Sequence, residues 1–167
     1  MIHDIIIGID PDVDKSGVAL LNTASRCMET SAYDFPNLID LLIAKRDEAK
    51  ENNLSLIVVV EASWLVQKAN YHAHYGRAGD AISRKVGENH EVGKLILQMC
   101  KHHSITAIEM HPLKKMWRGK DGKITAEELQ QMCGIFGRTN QEMRDACLIA
   151  WCYANFPLGG NFPIMTR

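Results

Sequence analysis

Asp4-Ile5-Ile6-Ile7-Gly8-Ile9-Asp10-Pro11, followed closely by Asp12, Asp14, Ser16 and Gly17, decides how this chain folds. The apolar run reads as a buried strand. Pro11 cannot donate to a sheet ladder, so the strand stops on the carboxylate of Asp10. Gly17 opens a second apolar stretch, Val18-Ala19-Leu20-Leu21, and the two strands make a hairpin with Asp10 at its mouth. A rigid strand end is a good mount for a metal ligand. A turn-capping role, common for Asp, would account for Asp10 equally well on this segment alone.

Outward from that hairpin, the pattern predicts three strands at about 4–10, 17–22 and 27–34. Asn37 is placed to cap a helix running through Leu38, Leu41, Leu42 and Ala49. Leu56-Ile57-Val58-Val59-Val60 is uninterrupted and β-branched, as expected for a central strand buried on both faces, and it ends on Glu61. A helical region of about 64–102 follows, with a break expected at Gly76 or Gly79. Ile105-Thr106-Ala107-Ile108 reads as a fifth strand, and a basic loop runs from His111 to Lys123. Thr125-Ala126-Glu127-Glu128 is a capping box for a helix that Gly134 can end. Thr139-Asn140-Gln141-Glu142 reads as another, opening a last helix to about Asn155. The order βββαβααβαα implies a single α/β domain over residues 1–167, with a five-stranded mixed sheet flanked by helices on both faces.

A chain of 167 residues suits one core, and 46% hydrophobic with 23% charged residues is ordinary for a globular protein. No apolar stretch reaches the roughly 18 residues that span a membrane, and no signal peptide is read at the N-terminus. Cys27, Cys100, Cys133, Cys147 and Cys152 include no Cys-x-x-Cys pair and read as reduced core thiols in a cytoplasmic setting. The net charge of −1 is unevenly spread. Residues 64–123 hold eleven Lys and Arg against five Asp and Glu, and six of the seven histidines. Such asymmetry suits a polyanion-binding face, and solvated helix faces would produce it too.

Three acidic points need explaining. Asp10 and Glu61 each end an apolar strand; if those strands pair in parallel, both carboxylates emerge at one edge of the sheet. Asp145 lies in Arg144-Asp145-Ala146-Cys147-Leu148-Ile149-Ala150-Trp151, a helix apolar nearly all round, where a charge needs a partner or a metal. Glu142 is three residues earlier on the same helix face. Local roles would account for each one singly. Glu142 could complete the capping box, Asp145 could pair with Arg144 or Arg138, and Glu61 could cap the turn near Ser63. Together they form a set of hard oxygen donors that suits Mg²⁺ or Mn²⁺. Two such ions about 4 Å apart can activate water and stabilise the leaving oxygen of a phosphodiester.

With these segments in order, the chain resembles the RuvC family of Holliday junction resolvases, within the ribonuclease H-like superfamily. Gly8-Ile9-Asp10-Pro11 with Ser16-Gly17 is similar to the family's first motif, Val60-Glu61 to its second acidic strand end, and Glu142-Met143-Arg144-Asp145-Ala146 to the paired acids of its last helix. The resemblance spans essentially the whole chain. It implies a DNA-associated homodimer that resolves four-way DNA junctions by paired nicks. It implies that Asp10, Glu61, Glu142 and Asp145 are catalytic and hold two Mg²⁺ per site, with Mn²⁺ as substitute. It places a base-stacking aromatic at Trp64, and DNA contacts in the basic loop at Lys114, Lys115, Arg118, Lys120 and Lys123. The chain departs from the family at Asp12, where Gly is usual, and at Glu142, where Asp is usual; Asp14 is an added acid in the turn.

Three other readings compete. A ribonuclease H acting on RNA–DNA hybrids would use the same acids. A non-catalytic junction-binding module would not need all four. An actin-like ATP-binding protein would need a Gly-rich phosphate hairpin, and Asp12-Val13-Asp14-Lys15 is too acidic for one.

Overall fold

Alternation along the first strand decides which layer each residue enters, and it sends Ile6 and Gly8 to one face of the sheet and Ile7 and Ile9 to the other. The computed structural model describes residues 3–66 and 77–158. The elements are β1 (Ile5–Asp10), β2 (Ser16–Asn22), β3 (Met28–Tyr33), α1 (Phe35–Glu51), β4 (Leu56–Glu61), α2 (Arg77–His102), β5 (Ala107–Met110), α3 (Ala126–Cys133) and α4 (Gln141–Tyr153). They build a five-stranded mixed sheet in the order β3-β2-β1-β4-β5. β1 pairs antiparallel with β2 and parallel with β4, and β4 pairs parallel with β5. The expected architecture is the observed one.

Two cores flank the sheet. On one face α4 packs on Ile6, Ala19, Leu21, Ile57 and Val59, joined by Trp117, Ile124 and Leu129 from the basic loop and α3. On the other face Leu38, Ile39 and Leu42 of α1 and Ile96 and Cys100 of α2 cover Ile7, Ile9, Val18, Val58 and Val60.

α4 lies unusually close to the sheet. A Cβ on Gly8 would run into the carbonyl oxygen of Ala146 and sit 2.8 Å from the amide nitrogen of Ala150. One on Gly17 would run into the carbonyl oxygen of Glu142. The Thr30 hydroxyl of β3 reaches the carbonyl oxygens of both Val18 (2.8 Å) and Met143 (3.2 Å), tying β3 to the first turn of α4.

Several boundaries differ from expectation, each for a local reason. Helix α1 is capped by Asp34, whose carboxylate accepts from the Asn37 backbone at 3.1 Å, with Pro36 in the first turn. Asn37 is therefore inside the helix and is not its cap. Strand β5 begins two residues later than expected because Ile105 closes the end of α2, its N–H donating to the Cys100 carbonyl at 2.8 Å. Helix α4 is capped by Asn140, which accepts from Met143 N–H at 2.9 Å, and the capping box expected at Thr139 does not form. The box at Thr125–Glu128 does form. The helical region expected from 64 opens as a short 3₁₀ turn, Ser63–Leu65. The break expected at Gly76 falls outside the described residues, and Gly79 lies within α2. Cys27 is exposed, whereas Cys100 and Cys147 are buried, and burial pushes their thiols up to about 11 and about 12.

If the glycines set this spacing, Gly8→Ala should destabilise the fold by ~1–3 kcal/mol, since backbone cannot yield as a side chain does. Gly87, on α2, has no atom within 4 Å of the place where a methyl group would sit. Gly87→Ala should instead stabilise by about 0.5–1 kcal/mol through helix propensity. Thermal unfolding of both variants checks the contrast.

Candidate active site

The same alternation that builds the cores aims the acids. Ile9 pairs with Val60 in the parallel ladder, so Asp10 and Glu61 follow side by side at the carboxyl ends of β1 and β4. Each shares a strand face with residues packed under α4, namely Ile6 for Asp10 and Ile57 and Val59 for Glu61. Asp145 meets them from α4. Asp10, Glu61 and Asp145 line one cleft of about 150 Å³ with Lys114, Lys115, Trp117 and Lys123.

Asp145 is held on both carboxylate oxygens. Gln141 Nε2 donates to Oδ1 at 2.8 Å, and Lys123 Nζ lies 3.4 Å from Oδ2. Arg144 does not pair with Asp145. It donates to Gln141 Oε1 at 2.9 Å, to the Thr139 carbonyl at 2.7 Å and to the Ile124 carbonyl at 3.1 Å. Arg144 thus orients Gln141, and Gln141 orients Asp145. The 3₁₀ turn at Ser63 starts on Ala62, which has no side chain able to cap it. Glu142 stands one position before the N3 site, since Asn140 is the cap, so the capping role expected of it is absent.

The acids act on one another. The Asp10 carboxyl is held well above the ordinary carboxylate range, first by burial, then by the charges of Glu61 and Asp145, with a smaller push from Glu142. The Lys123 ammonium opposes them. Glu142 thus belongs to the same electrostatic cluster, although it does not line the cleft.

Among the described residues, no three acid side chains converge tightly enough to form a ready-made ion site. The donor set is nonetheless right for a hard cation. It is all carboxylate oxygen, and its charges raise the Asp10 carboxyl in a way that a bound cation would relieve.

The basic loop is ordered by a residue that the sequence pattern marks only as a cap. Buried Glu128 accepts from the backbone N–H of Arg118 at 3.1 Å and of Thr125 at 3.0 Å, which anchors the loop over α3. Lys114, Lys115 and Lys123 line the cleft, while the Arg118 and Lys120 side chains point away into solvent. Trp64 is half-buried, with its ring edge against Gly93 and its ring centroid 6.1 Å from that of His90 in an edge-on arrangement. Asp12 and Asp14 are also engaged elsewhere. Asp12 accepts from Asn89 Nδ2 at 3.1 Å, and Lys85 Nζ lies 3.5 Å from Asp14, so the hairpin turn is tied to α2.

No family model matches the chain, and no curated protein sequence matches it. Solved structures do. The chain is similar to Thermus thermophilus RuvC in complex with Holliday junction substrate, at 13% identity and a TM-score of 0.51, covering 91% of this chain and 93% of that one. It is also similar to a second Thermus thermophilus RuvC structure, at 16% identity, with 90% and 93% covered and a TM-score of 0.48. A third is the fowlpox virus resolvase with its Holliday junction DNA, at 12% identity, with 90% and 96% covered and a TM-score of 0.45. The fold is ribonuclease H-like and of the RuvC type.

The raised Asp10 carboxyl has a stability consequence with a definite sign. Its folded pKa exceeds the unfolded value of 3.8, so folding is favoured while the group is protonated. That stability is complete below 3.8 and is lost as pH rises through the raised folded value. In metal-free buffer the melting temperature of the wild type should fall over that window. Asp10→Asn should remove that component of the fall and melt higher at pH 7, by about 2–4 °C for each kcal/mol relieved. Equal melting curves for the two proteins across pH would show that Asp10 is not in a repelling cluster.

Proposed function

We propose that this chain, on the fold it shares with RuvC, is a divalent-metal-dependent endonuclease that resolves four-way DNA junctions by paired nicks. The observation that carries this reading is the convergence of Asp10, Glu61 and Asp145 from two strand ends and one packed helix on a cleft rimmed by Lys114, Lys115 and Lys123. Acids for cations and lysines for phosphates within one cleft suit phosphodiester hydrolysis.

In this mechanism Asp10, Glu61 and Asp145, with Glu142, would hold two Mg²⁺, for which Mn²⁺ could substitute. Bound there, the ions would supply positive charge to a phosphodiester as it becomes more negative in the transition state. The chain's own residues do the rest. Lys114 and Lys115 draw the DNA backbone to the cleft, and the exposed Arg118 and Lys120 extend that attraction along the duplex. The Gln141–Arg144 relay keeps Asp145 turned inward. Lys123, bound to Asp145 without DNA, is within the cleft and can shift its ammonium to an incoming phosphate. Asp10 is only half-exposed at its strand end, which limits the access of bulk water to it. Paired nicks on opposite strands need two such sites, so the working unit is a homodimer.

The testing experiment offers a mobile four-way junction, a linear duplex and an RNA–DNA hybrid to the protein with Mg²⁺, Mn²⁺, Ca²⁺ or EDTA. The expected result is symmetric junction nicking with Mg²⁺ or Mn²⁺, and binding without turnover in Ca²⁺, whose bonds are longer and looser. Full activity in EDTA would sink the metal mechanism, and preferred cutting of the hybrid would reassign the substrate.

Glu142 gives a sharper test because its capping role is gone. Glu142→Gln should leave the melting temperature nearly unchanged, with the Asn140 cap intact. Cleavage should fall by orders of magnitude at low Mg²⁺ and recover partly at high Mg²⁺. Wild-type cutting at limiting Mg²⁺ would leave the site to Asp10, Glu61 and Asp145.

A further inference from the structure

One stripe of α2 lies against the turn that follows Asp10. Its members are Lys85, Asn89 and Gly93, spaced by one helical turn and so on one helix face. The Asn89 amide uses both ends. Its Oδ1 accepts from the Val13 N–H at 2.9 Å, and its Nδ2 donates to Asp12 Oδ2 at 3.1 Å. Lys85 Nζ lies 3.5 Å from Asp14 Oδ2 and 4.0 Å from Asp12 Oδ2. At Gly93 a Cβ would stand 3.2 Å from the ring of Pro11. Ile96, further along α2, shares a core with Ile9. The helix thus engages the chain before and after Asp10, while Asp10 itself belongs to the opposite, α4 face of the sheet.

Asp12 is the joint of this arrangement. Its Oδ1 accepts from the Asp14 N–H at 2.9 Å inside the turn, its N–H donates to the buried Ser16 hydroxyl at 3.2 Å, and its Oδ2 is left for α2. The Asp12 side chain is only 16% exposed, so water hydrates it poorly and Asn89 supplies a donor that it needs. Glu61 and Asp145 push on Asp10, and Asp12 and Asp14 add negative charge to the turn beside it. An unheld turn of this charge would relieve the repulsion by moving the strand end away from the cleft. Asn89 opposes that movement from the other side of the sheet. Asp12 stands where the RuvC pattern has Gly, which offers no carboxylate, so the clamp belongs to this chain's own sequence.

We propose that Asn89 is a positioning residue for the metal site: by clamping Asp12 and Val13 to α2 it fixes Asp10 at the cleft and so sets the affinity for the divalent cation. This rests on the metal-dependent nuclease reading above and adds to it what holds the first ligand in place. Asn89 acts through the turn and not on the cation. A tie that served stability alone would change the melting temperature and leave cation affinity in the folded protein as it was. A positioning residue changes that affinity.

The test measures Mn²⁺ uptake by calorimetry with no DNA present, and junction cleavage against Mg²⁺ concentration. Asn89→Ala and Asn89→Asp should each weaken Mn²⁺ binding by roughly 10-fold, the lower end of what partners that orient metal ligands are worth. Cleavage should need correspondingly more Mg²⁺ and approach the wild-type rate once Mg²⁺ saturates. The paired swap Asp12→Asn with Asn89→Asp reverses donor and acceptor across the same contact and keeps the total charge, so it should recover the Mn²⁺ affinity. Arg84→Ala breaks only the exposed pair with Glu88 on the same helix and should bind Mn²⁺ like wild type. If Asn89→Ala does not fold, Asn89→Asp against the swap decides the matter. Three outcomes overturn the clamp: wild-type Mn²⁺ affinity in Asn89→Ala, a loss that the swap leaves unrepaired, or an equal loss in Arg84→Ala. The failure of the underlying reading looks different, because wild type itself would then take up no Mn²⁺, or Asp10→Asn would take up as much.

Discussion

Everything in the site depends on how closely one helix backbone approaches one pair of strands. Gly8 and Gly17 leave no side chain between the sheet and α4, and the carbonyls of Ala146 and Glu142 occupy the space that methyl groups would take. Gly17 pairs with Asp10 across the hairpin, so the point of contact lies beside the first acid. Helices usually keep 8–10 Å from their packing partners because side chains intervene. Here the missing side chains lower α4 until Asp145 enters the cleft that Asp10 and Glu61 already line.

That approach forces like charges together. Asp10 is half-buried and feels Glu61, Asp145 and Glu142, with the Lys123 ammonium opposing them. Proteins keep such repelling clusters only where surrounding structure holds them, and here the core beneath α4 does so. The remaining acids nearby are kept out of the cluster. Asp12 and Asp14 bind Asn89 and Lys85 of α2, so the added carboxylates of the hairpin turn secure that turn against the helix layer. A cleft with surplus negative charge at its floor and lysines at its rim is poised for cations below and polyanions above.

Much of this was legible locally. The strand ends at Asp10 and Glu61, the hairpin, the strand buried on both faces at 56–60 and the Thr125–Glu128 box all follow from patterns a few residues long, and each is present. The errors cluster where two local solutions compete. Thr139 and Asn140 are both good caps, and Asn140 wins because Thr139 is taken by Arg144. Asp34 rather than Asn37 caps α1 because Pro36 sits in the first turn and Asn37 is already inside the helix, its N–H donating to the Asp34 carboxylate. Phe136 carries no local signal marking it as exposed, since Ile135 beside it is equally apolar and packs inward.

The sequence by itself determined the order of elements, the sheet type and which residues share a face, because those rest on periods of 2 and 3.6 along the chain. Only the tertiary structure decided that Lys123 rather than Arg144 neutralises Asp145, that Gln141 orients it, and that Glu128 anchors the basic loop. Those pairings join residues that the pattern along the chain leaves unmatched. Which groups come within 3–4 Å across an interface is set by how far the layers can close, and here two glycines set that distance.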